Sequence, residues 1–100
     1  MKICVVGAGA IGGLLAARLQ QSGEDVSVIA RGPHLAAIKA SGLKLIEEGE
    51  HEIVAQVQAT DRIAEAGQQD LVILGMKAHQ VAAVVDDLNH LYTPDTMVLT

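Results

Sequence analysis

Three stretches of this 100-residue sequence carry residue types that could bind phosphate: a glycine-rich turn, an arginine, and a lysine close to a glutamine. The turn, Gly7-Ala8-Gly9-Ala10-Ile11-Gly12, has the spacing G-x-G-x-x-G. In such a turn the first glycine permits a tight bend, the second lets the backbone approach a pyrophosphate, and the third lets helix pack on strand. The free N–H groups and the dipole of the following helix then hold phosphate oxygens. The turn therefore predicts a nucleotide site.

The segments on either side of the turn are those that this chemistry requires. Lys2-Ile3-Cys4-Val5-Val6 is a short β-rich run typical of a buried parallel strand. The following helix is predicted from about Ala10 to Gln21, with Gly23 in a left-handed position after its end. Its predicted apolar side consists of Ile11, Leu14, Leu15 and Leu19. Strand, glycine turn and helix in this order favour a nucleotide site over a turn that needs glycine for packing alone.

The end of the second predicted strand, Val26-Ser27-Val28-Ile29, indicates which dinucleotide fits. A site for NAD usually has Asp or Glu here, which binds the ribose 2′-hydroxyl. This sequence has Ala30-Arg31 instead, and an arginine can bind a 2′-phosphate through two charge-assisted hydrogen bonds. Arg31 therefore predicts NADP(H), the alternative being a solvated arginine in a turn. Lys39 is a further cation nearby, interpreted as a solvated helix residue.

The third predicted parallel strand, Asp70–Leu74, leads into Gly75 and then Lys77. Open α/β folds bind ligands at the carboxyl edge of the sheet, so Lys77 is a cation in a favourable place, beside a glycine that frees the backbone to approach a cofactor. Gln80 lies three residues further on, which places it on the same side if a helix has begun. Lys77 alone fits a solvated lysine equally well.

The remaining segments complete an α/β pattern. Gly32 to Ser41 is predicted as a short helix with Pro33 in its first turn and Leu35, Ala36 and Ile38 facing inward. Leu43–Ile46 and Ile53–Val57 alternate in polarity and predict an antiparallel hairpin.

Thr60-Asp61 offers an N-cap for a helical turn through Ala66. A further helix carries the apolar stripe Val81, Val84, Val85, Leu88 and Leu91, and a last strand is predicted at Met97–Leu99.

The expected fold is a doubly wound, mostly parallel Rossmann-type α/β sheet with an inserted β-hairpin. Because that last strand is followed by nothing that completes the sheet, we expect residues 1–100 to be one domain of a longer protein.

Composition limits the classes of function. A formal charge of −5 argues against nucleic acid or an anionic membrane as partner. No apolar run reaches the ~20 residues of a membrane span, and the first strand leaves no room for a signal peptide, so a soluble, cytoplasmic protein is expected.

Cys4 is interpreted as a core residue in a reducing compartment, and His34 as a surface or capping residue without a second metal ligand. An apolar sheet edge would favour a homodimer.

Several features together resemble the N-terminal cofactor domain of ketopantoate reductases (2-dehydropantoate 2-reductases). The matching stretches are Lys2 to Gly12, Val28-Ile29-Ala30-Arg31-Gly32, His34-Leu35-Ala36-Ala37-Ile38, Ser41-Gly42-Leu43-Lys44-Leu45 and Lys77-Ala78-His79-Gln80. The glycine turn alone is shared by many dehydrogenases, whereas its combination with the strand-two arginine and Lys-Ala-x-Gln is much more specific.

The resemblance implies an NADPH-dependent oxidoreductase that reduces the keto acid 2-dehydropantoate to pantoate, in pantothenate biosynthesis. It implies cofactor-binding roles for Gly7, Ala8, Gly9, Ala10, Ile11, Gly12, Arg31, Lys77 and Gln80. In the family a separate helical C-terminal domain supplies the catalytic lysine and binds the substrate. Those positions are not in this sequence, so we expect the chain to bind cofactor and not to catalyse.

Three alternatives remain open at this point. One is a dinucleotide-sensing Rossmann module without chemistry. Another is the cofactor domain of a different dehydrogenase, acting on a hydroxyacyl thioester or a nucleotide sugar, although Ala30-Arg31 speaks against it. The last is a purely structural domain, which the glycine turn disfavours.

Overall fold

The computed structural model describes residues 1–7, 10–46, 52–76 and 78–99 of the chain. Within them the strands are β1 (Lys2–Val6), β2 (Asp25–Ile29), β3 (Leu43–Ile46), β4 (Glu52–Ala55), β5 (Gln58–Thr60), β6 (Leu71–Leu74) and β7 (Met97–Leu99). The helices are α1 (Ala10–Gln21), α2 (Gly32–Ser41), α3 (Ile63–Ala66) and α4 (Ala78–Leu88), and a 3-10 turn follows at Asn89–Leu91.

The central sheet has the order β5-β2-β1-β6-β7, with every neighbouring pair parallel. The chain moves outward from β1 in one direction through β2 and β5, and then in the other through β6 and β7. β3 and β4 form a separate antiparallel pair, which lies against α1. The predicted Rossmann-type fold with an added hairpin is therefore confirmed.

Both faces of the sheet are covered, because alternate residues of each strand point to opposite sides. Ile3 and Val5 belong to one core with residues of α1, α2 and the hairpin. Cys4 and Val6 belong to the other core with residues of α3, α4 and the 3-10 turn. Cys4 is fully buried, as predicted.

Helix α1 packs on the sheet mainly through small residues. Of its predicted apolar side, Leu15 and Leu19 are confirmed as packing against the core, whereas Leu14 is wrong. Gly12, Gly13, Ala16 and Ala17 are buried, whereas Leu14 is 40% exposed. A helix that approaches a sheet closely has no room for leucines at the contact, so the larger side chains lie at its margins. The predicted end of the helix is confirmed: Gly23 has φ 92°, and the N–H groups of Gly23 and Glu24 donate to the carbonyls of Gln20 and Leu19.

Two side-chain predictions on the other helices are wrong. Val85 is 54% exposed, because α4 buries a narrow stripe through Val84 and Leu88, and Val85 lies beside that stripe. Ala36 is exposed on α2, where Ile38 is the buried contact and Leu35 is half-buried.

The segment after the hairpin also differs from its prediction. β4 ends at Ala55, not at Val57, and Gln58–Thr60 forms an unpredicted strand that pairs with β2. The N-cap of α3 is Arg62, not Thr60 or Asp61. The cause is that Thr60 is still paired in β5, and its side chain accepts the Arg62 N–H from within the strand.

Candidate functional site

The carboxyl ends of four parallel strands are joined by backbone hydrogen bonds that continue past the strands. The N–H of Gly7 donates to the carbonyl of Ile29 over 3.1 Å, and the N–H of Gly75 donates to the carbonyl of Val6 over 2.9 Å. The N–H of Ala30 donates to the carbonyl of Thr60 over 3.1 Å. These bonds bring the segments after β1, β2, β5 and β6 to one edge, where the strand order reverses and open α/β sheets bind ligands.

A cleft of about 700 Å³ opens at this edge. Its lining residues are Val6, Gly7, Ile29, Ala30, Arg31, His34, Asp61, Arg62, Ile63, Ala64, Gly75, Met76, Gln80, Ala83, Val84 and Asp87. Among these described residues, the charged groups come from the segments after β2 and β5 and from α4. A cleft of this volume is within the range of small-molecule and cofactor sites.

Glycines allow the backbone to close tightly at the entrance of the cleft. Gly7 has φ 88°, a left-handed conformation that disfavours other residues. A Cβ atom at Gly12 would lie 2.7 Å from the Gly7 carbonyl oxygen, and one at Gly75 would lie 2.5 Å from the same oxygen. The close packing of α1 on β1 that the sequence predicts at Gly12 is therefore present. The contact of Gly75 with Gly7 was not predicted.

The structure brings together four of the predicted site residues. Gly7, Arg31 and Gln80 line the cleft, and Gly12 packs beneath Gly7. Ala10 and Ile11 form the start of α1. Ala8, Gly9 and Lys77 lie outside the described residues.

Arg31 reaches the cleft from the N-cap position of α2. Its backbone is extended, with φ −135° and ψ 156°, and its carbonyl accepts the N–H of Leu35. No side-chain capping bond occupies Arg31, and its side chain is exposed. His34, one turn further along α2, is exposed and also lines the cleft.

Asp61, Arg62 and Asp87 are charged residues of the cleft that the sequence did not reveal. Asp61 and Arg62 follow a three-residue strand that is too short and polar for a periodicity signal, and Asp87 lies on the polar side of α4. The sequence offered one signal for Arg62 as a residue of the cleft: it follows soon after Thr60, a β-branched residue that could end a strand.

Cys4 lies in the core behind the cleft and takes no part in it. Burial raises the pKa of its thiol to about 12, because a thiolate would be desolvated. A thiol in this state is a poor nucleophile.

Within the described residues, no three His, Cys, Asp or Glu side chains gather as metal ligands would. Nor do residues 1–7, 10–46, 52–76 and 78–99 include a helix with the length and apolar character to cross a bilayer.

The parallel sheet, the glycine contacts and the cleft at the carboxyl edge define a Rossmann-type α/β domain. Residues 3–100 match the family model "Ketopantoate reductase PanE/ApbA". The chain therefore belongs to the ketopantoate reductase family.

Individual relatives agree with this membership. The chain is 50% identical over 101 residues to a 2-dehydropantoate 2-reductase of Mesorhizobium japonicum, covering all of this chain and 31% of that protein. The crystal structure of 2-dehydropantoate 2-reductase from Porphyromonas gingivalis W83 has a TM-score of 0.91 at 30% identity, over 100% of this chain and 37% of that one. A ternary structure of D-mandelate dehydrogenase with NADH and anilino(oxo)acetate has a TM-score of 0.86 at 35% identity, over 98% and 32%. The chain thus spans about a third of the length of these relatives.

Proposed function

We propose that the chain is the cofactor-binding domain of an NADPH-dependent reductase that converts 2-dehydropantoate to pantoate, a step toward pantothenate. The observation that carries the proposal is that Arg31 lines the same cleft as Gly7, the first residue of the glycine turn. In the proposal the chain forms one domain of a longer, two-domain enzyme. Its span of about a third of the relatives' length supports this arrangement.

The residues present fit a dinucleotide phosphate. At Gly12 and Gly75 a side chain would collide with the Gly7 carbonyl oxygen, and this lack of room around the turn after β1 fits a backbone that approaches a pyrophosphate closely. Gly7, Ala8, Gly9, Ala10, Ile11 and Gly12 form this turn in the proposal. Arg31 binds the 2′-phosphate, since its guanidinium offers parallel donors to phosphate oxygens.

Lys77 and Gln80 hold the other half of the cofactor in the proposal, at the edge beside β6. Gln80 lines the cleft in the third residue of α4. A nicotinamide cofactor supplies a hydride for a keto carbon. No catalytic acid is assigned to this chain. A proton donor must lie within hydrogen-bond reach of the substrate oxygen, and the substrate is proposed to bind in the other domain. The chain alone is therefore proposed to bind cofactor without turnover.

A second candidate is an NADH-dependent dehydrogenase of 2-hydroxy acids. It is favoured by the similarity to the D-mandelate dehydrogenase solved with NADH. Arg31 distinguishes the two candidates, because NADH has no 2′-phosphate for an arginine to bind.

Calorimetric titration of the chain with NADPH and with NADH tests the proposal. We expect NADPH to bind more tightly, and Arg31→Ala to remove that preference while NADH binding persists. Arg18→Ala is the matched control, an exposed arginine in the last turn of α1, away from the cleft. Equal affinity for both cofactors in the unmodified chain would reject NADPH specificity and favour the second candidate.

The substrate requires a separate assay on the longer protein that contains this chain. We expect 2-dehydropantoate to cause NADPH oxidation, and the isolated chain to cause none. Oxidation with other 2-keto acids but not with 2-dehydropantoate would overturn the substrate assignment.

A further inference from the structure

A second arginine, Arg62, lines the same cleft as Arg31. Ile29 of β2 pairs with Thr60 of β5, so each arginine lies two residues beyond a paired position on neighbouring parallel strands. The hydrogen bond from Ala30 to Thr60 extends that pairing by one residue toward the arginines. Because adjacent strands are about 4.8 Å apart, the two arginines leave the sheet side by side.

Local hydrogen bonds hold the backbone of Arg62 at the cleft. Its N–H donates to Thr60 Oγ1 over 3.1 Å, and the same hydroxyl donates to Glu65 Oε2 over 3.0 Å. The other carboxylate oxygen of Glu65 is 3.9 Å from Arg62 Nε. The side chains of Arg62 and Glu65 are 79% and 58% exposed. Such a long, solvated ion pair is weak, so a phosphate can displace it.

A phosphate monoester carries more negative charge than the guanidinium of Arg31 alone can match. Such a group carries about −1.5 to −2 charges and has three acceptor oxygens. Asp61 and Asp87 also line the cleft, and their carboxylates repel it. Among the described residues of the lining, Arg31 and Arg62 are the only arginines or lysines, and His34 is the only histidine. Arg31 and Arg62 together match the charge of the phosphate itself, whereas Arg31 alone supplies about half of it. The two carboxylates add to the need for a second cation.

We propose that Arg62 is a second specificity residue, which binds the 2′-phosphate of NADP(H) together with Arg31. This inference rests on the proposed function, which assigns that phosphate to Arg31. Lys39, the other cation considered from the sequence, is exposed on α2 and is not among the residues that line the cleft.

Two small probes test the inference: adenosine 2′,5′-bisphosphate and adenosine 5′-monophosphate, which differ by the 2′-phosphate. We expect Arg62→Ala to weaken binding of the bisphosphate about 10- to 100-fold, as the loss of a charge-assisted hydrogen bond does. Binding of the monophosphate should be unchanged. Arg18→Ala should bind both probes like the unmodified chain, and circular dichroism should show the same fold for all variants.

Each contrary result has a distinct meaning. An equal loss for both probes would overturn the inference, because Arg62 would then contact the base or the 5′-phosphate. No loss in Arg62→Ala, with a loss in Arg31→Ala, would overturn the inference and leave the proposed function standing. If the unmodified chain bound both probes equally, the 2′-phosphate site itself would be rejected, and the proposed NADPH specificity with it.

Discussion

Gly75 lies so close to Gly7 that a Cβ atom at Gly75 would be 2.5 Å from the Gly7 carbonyl oxygen. The same oxygen is 2.7 Å from the position of a Cβ atom at Gly12. One carbonyl group is thus enclosed by two glycines from different elements, the end of β6 and the first turns of α1. Backbone atoms cannot move aside as the end of a flexible side chain can, so both positions require glycine.

Gly75→Ala should therefore lower the free energy of unfolding by about 2–3 kcal/mol, because overpacking forces the backbone to shift. Urea unfolding followed by circular dichroism measures the change. The comparison is Gly23→Ala, where a Cβ atom meets nothing within 4 Å and only the positive φ is unfavourable. That variant should lose about 1 kcal/mol. Equal losses would mean that the contact with Gly7 is relieved without cost.

Val84 and Val85 form a matched pair on α4, since they are neighbours in one helix and only one is buried. Val84 is 6% exposed and Val85 is 54% exposed. Val84→Ala should cost about 1–2 kcal/mol through lost burial and a residual cavity. Val85→Ala should change stability by less than about 0.5 kcal/mol. Thermal or urea unfolding of the two variants measures both changes in stability. A larger loss of stability for Val85→Ala than for Val84→Ala would contradict the packing of this helix.

The buried thiol of Cys4 should make stability fall at high pH. Its pKa is raised from 9.0 to about 12 in the folded chain. Below pH 9 both states hold the proton, so Cys4 has no effect there; between pH 9 and 12 the unfolded state releases it more readily. Stability should then fall by up to about 1.4 kcal/mol per pH unit.

Other groups also titrate in that range, so the comparison is with Cys4→Ala. The difference in unfolding free energy between the two proteins should be constant up to pH 9. Above pH 9 the Cys4→Ala variant should become more stable relative to the unmodified protein. A thiol reagent should also react with the unmodified protein only after unfolding. Rapid reaction of the native protein would show that the thiol is accessible.

Thr60 links the start of α3 to the end of β5 through a single hydroxyl. It accepts the Arg62 N–H and donates to Glu65. Thr60→Val removes both bonds at nearly constant volume and should cost about 1 kcal/mol. Thr60→Ser keeps the hydroxyl and should cost less, as measured by urea unfolding. An unchanged stability of Thr60→Val would contradict a stabilising role of the two hydrogen bonds.

The sequence predicted those parts of the fold whose signals are local. β1, α1 and the glycine-ended turn at Gly23 follow from strand propensity, helical spacing and left-handed glycine, and the structure has them within one residue of the prediction. On α1 the prediction was right for Leu15 and Leu19, which pack against the core. It was wrong for Leu14, because spacing identifies apolar residues but not how closely a helix approaches the sheet. Close approach selects Ala16 and Ala17 over Leu14.

The candidate site was predictable only where a motif carried it. Gly7, Gly12 and Arg31 could be located because a known spacing ties them to the first two strands. Strand β5 could not be located, since three residues show no periodicity and the strand is stabilised by pairing with β2. Arg62, which follows β5, was therefore not predicted either. The contact between Gly7 and Gly75 joins residues 68 positions apart, a separation over which sequence patterns carry no information.

The hydrogen bonds that join the strand ends depend on main-chain atoms, whereas the loops beyond them differ by their side chains. Gly7, Ala30 and Gly75 are fixed to Ile29, Thr60 and Val6 by main-chain atoms alone, so these bonds persist when neighbouring side chains are exchanged. Substitutions in the loops beyond them therefore leave these bonds in place. Under the proposed roles of Arg31 and Arg62, drift at these two positions is expected to let descendants of one ancestral scaffold exchange one dinucleotide for the other by very few mutations.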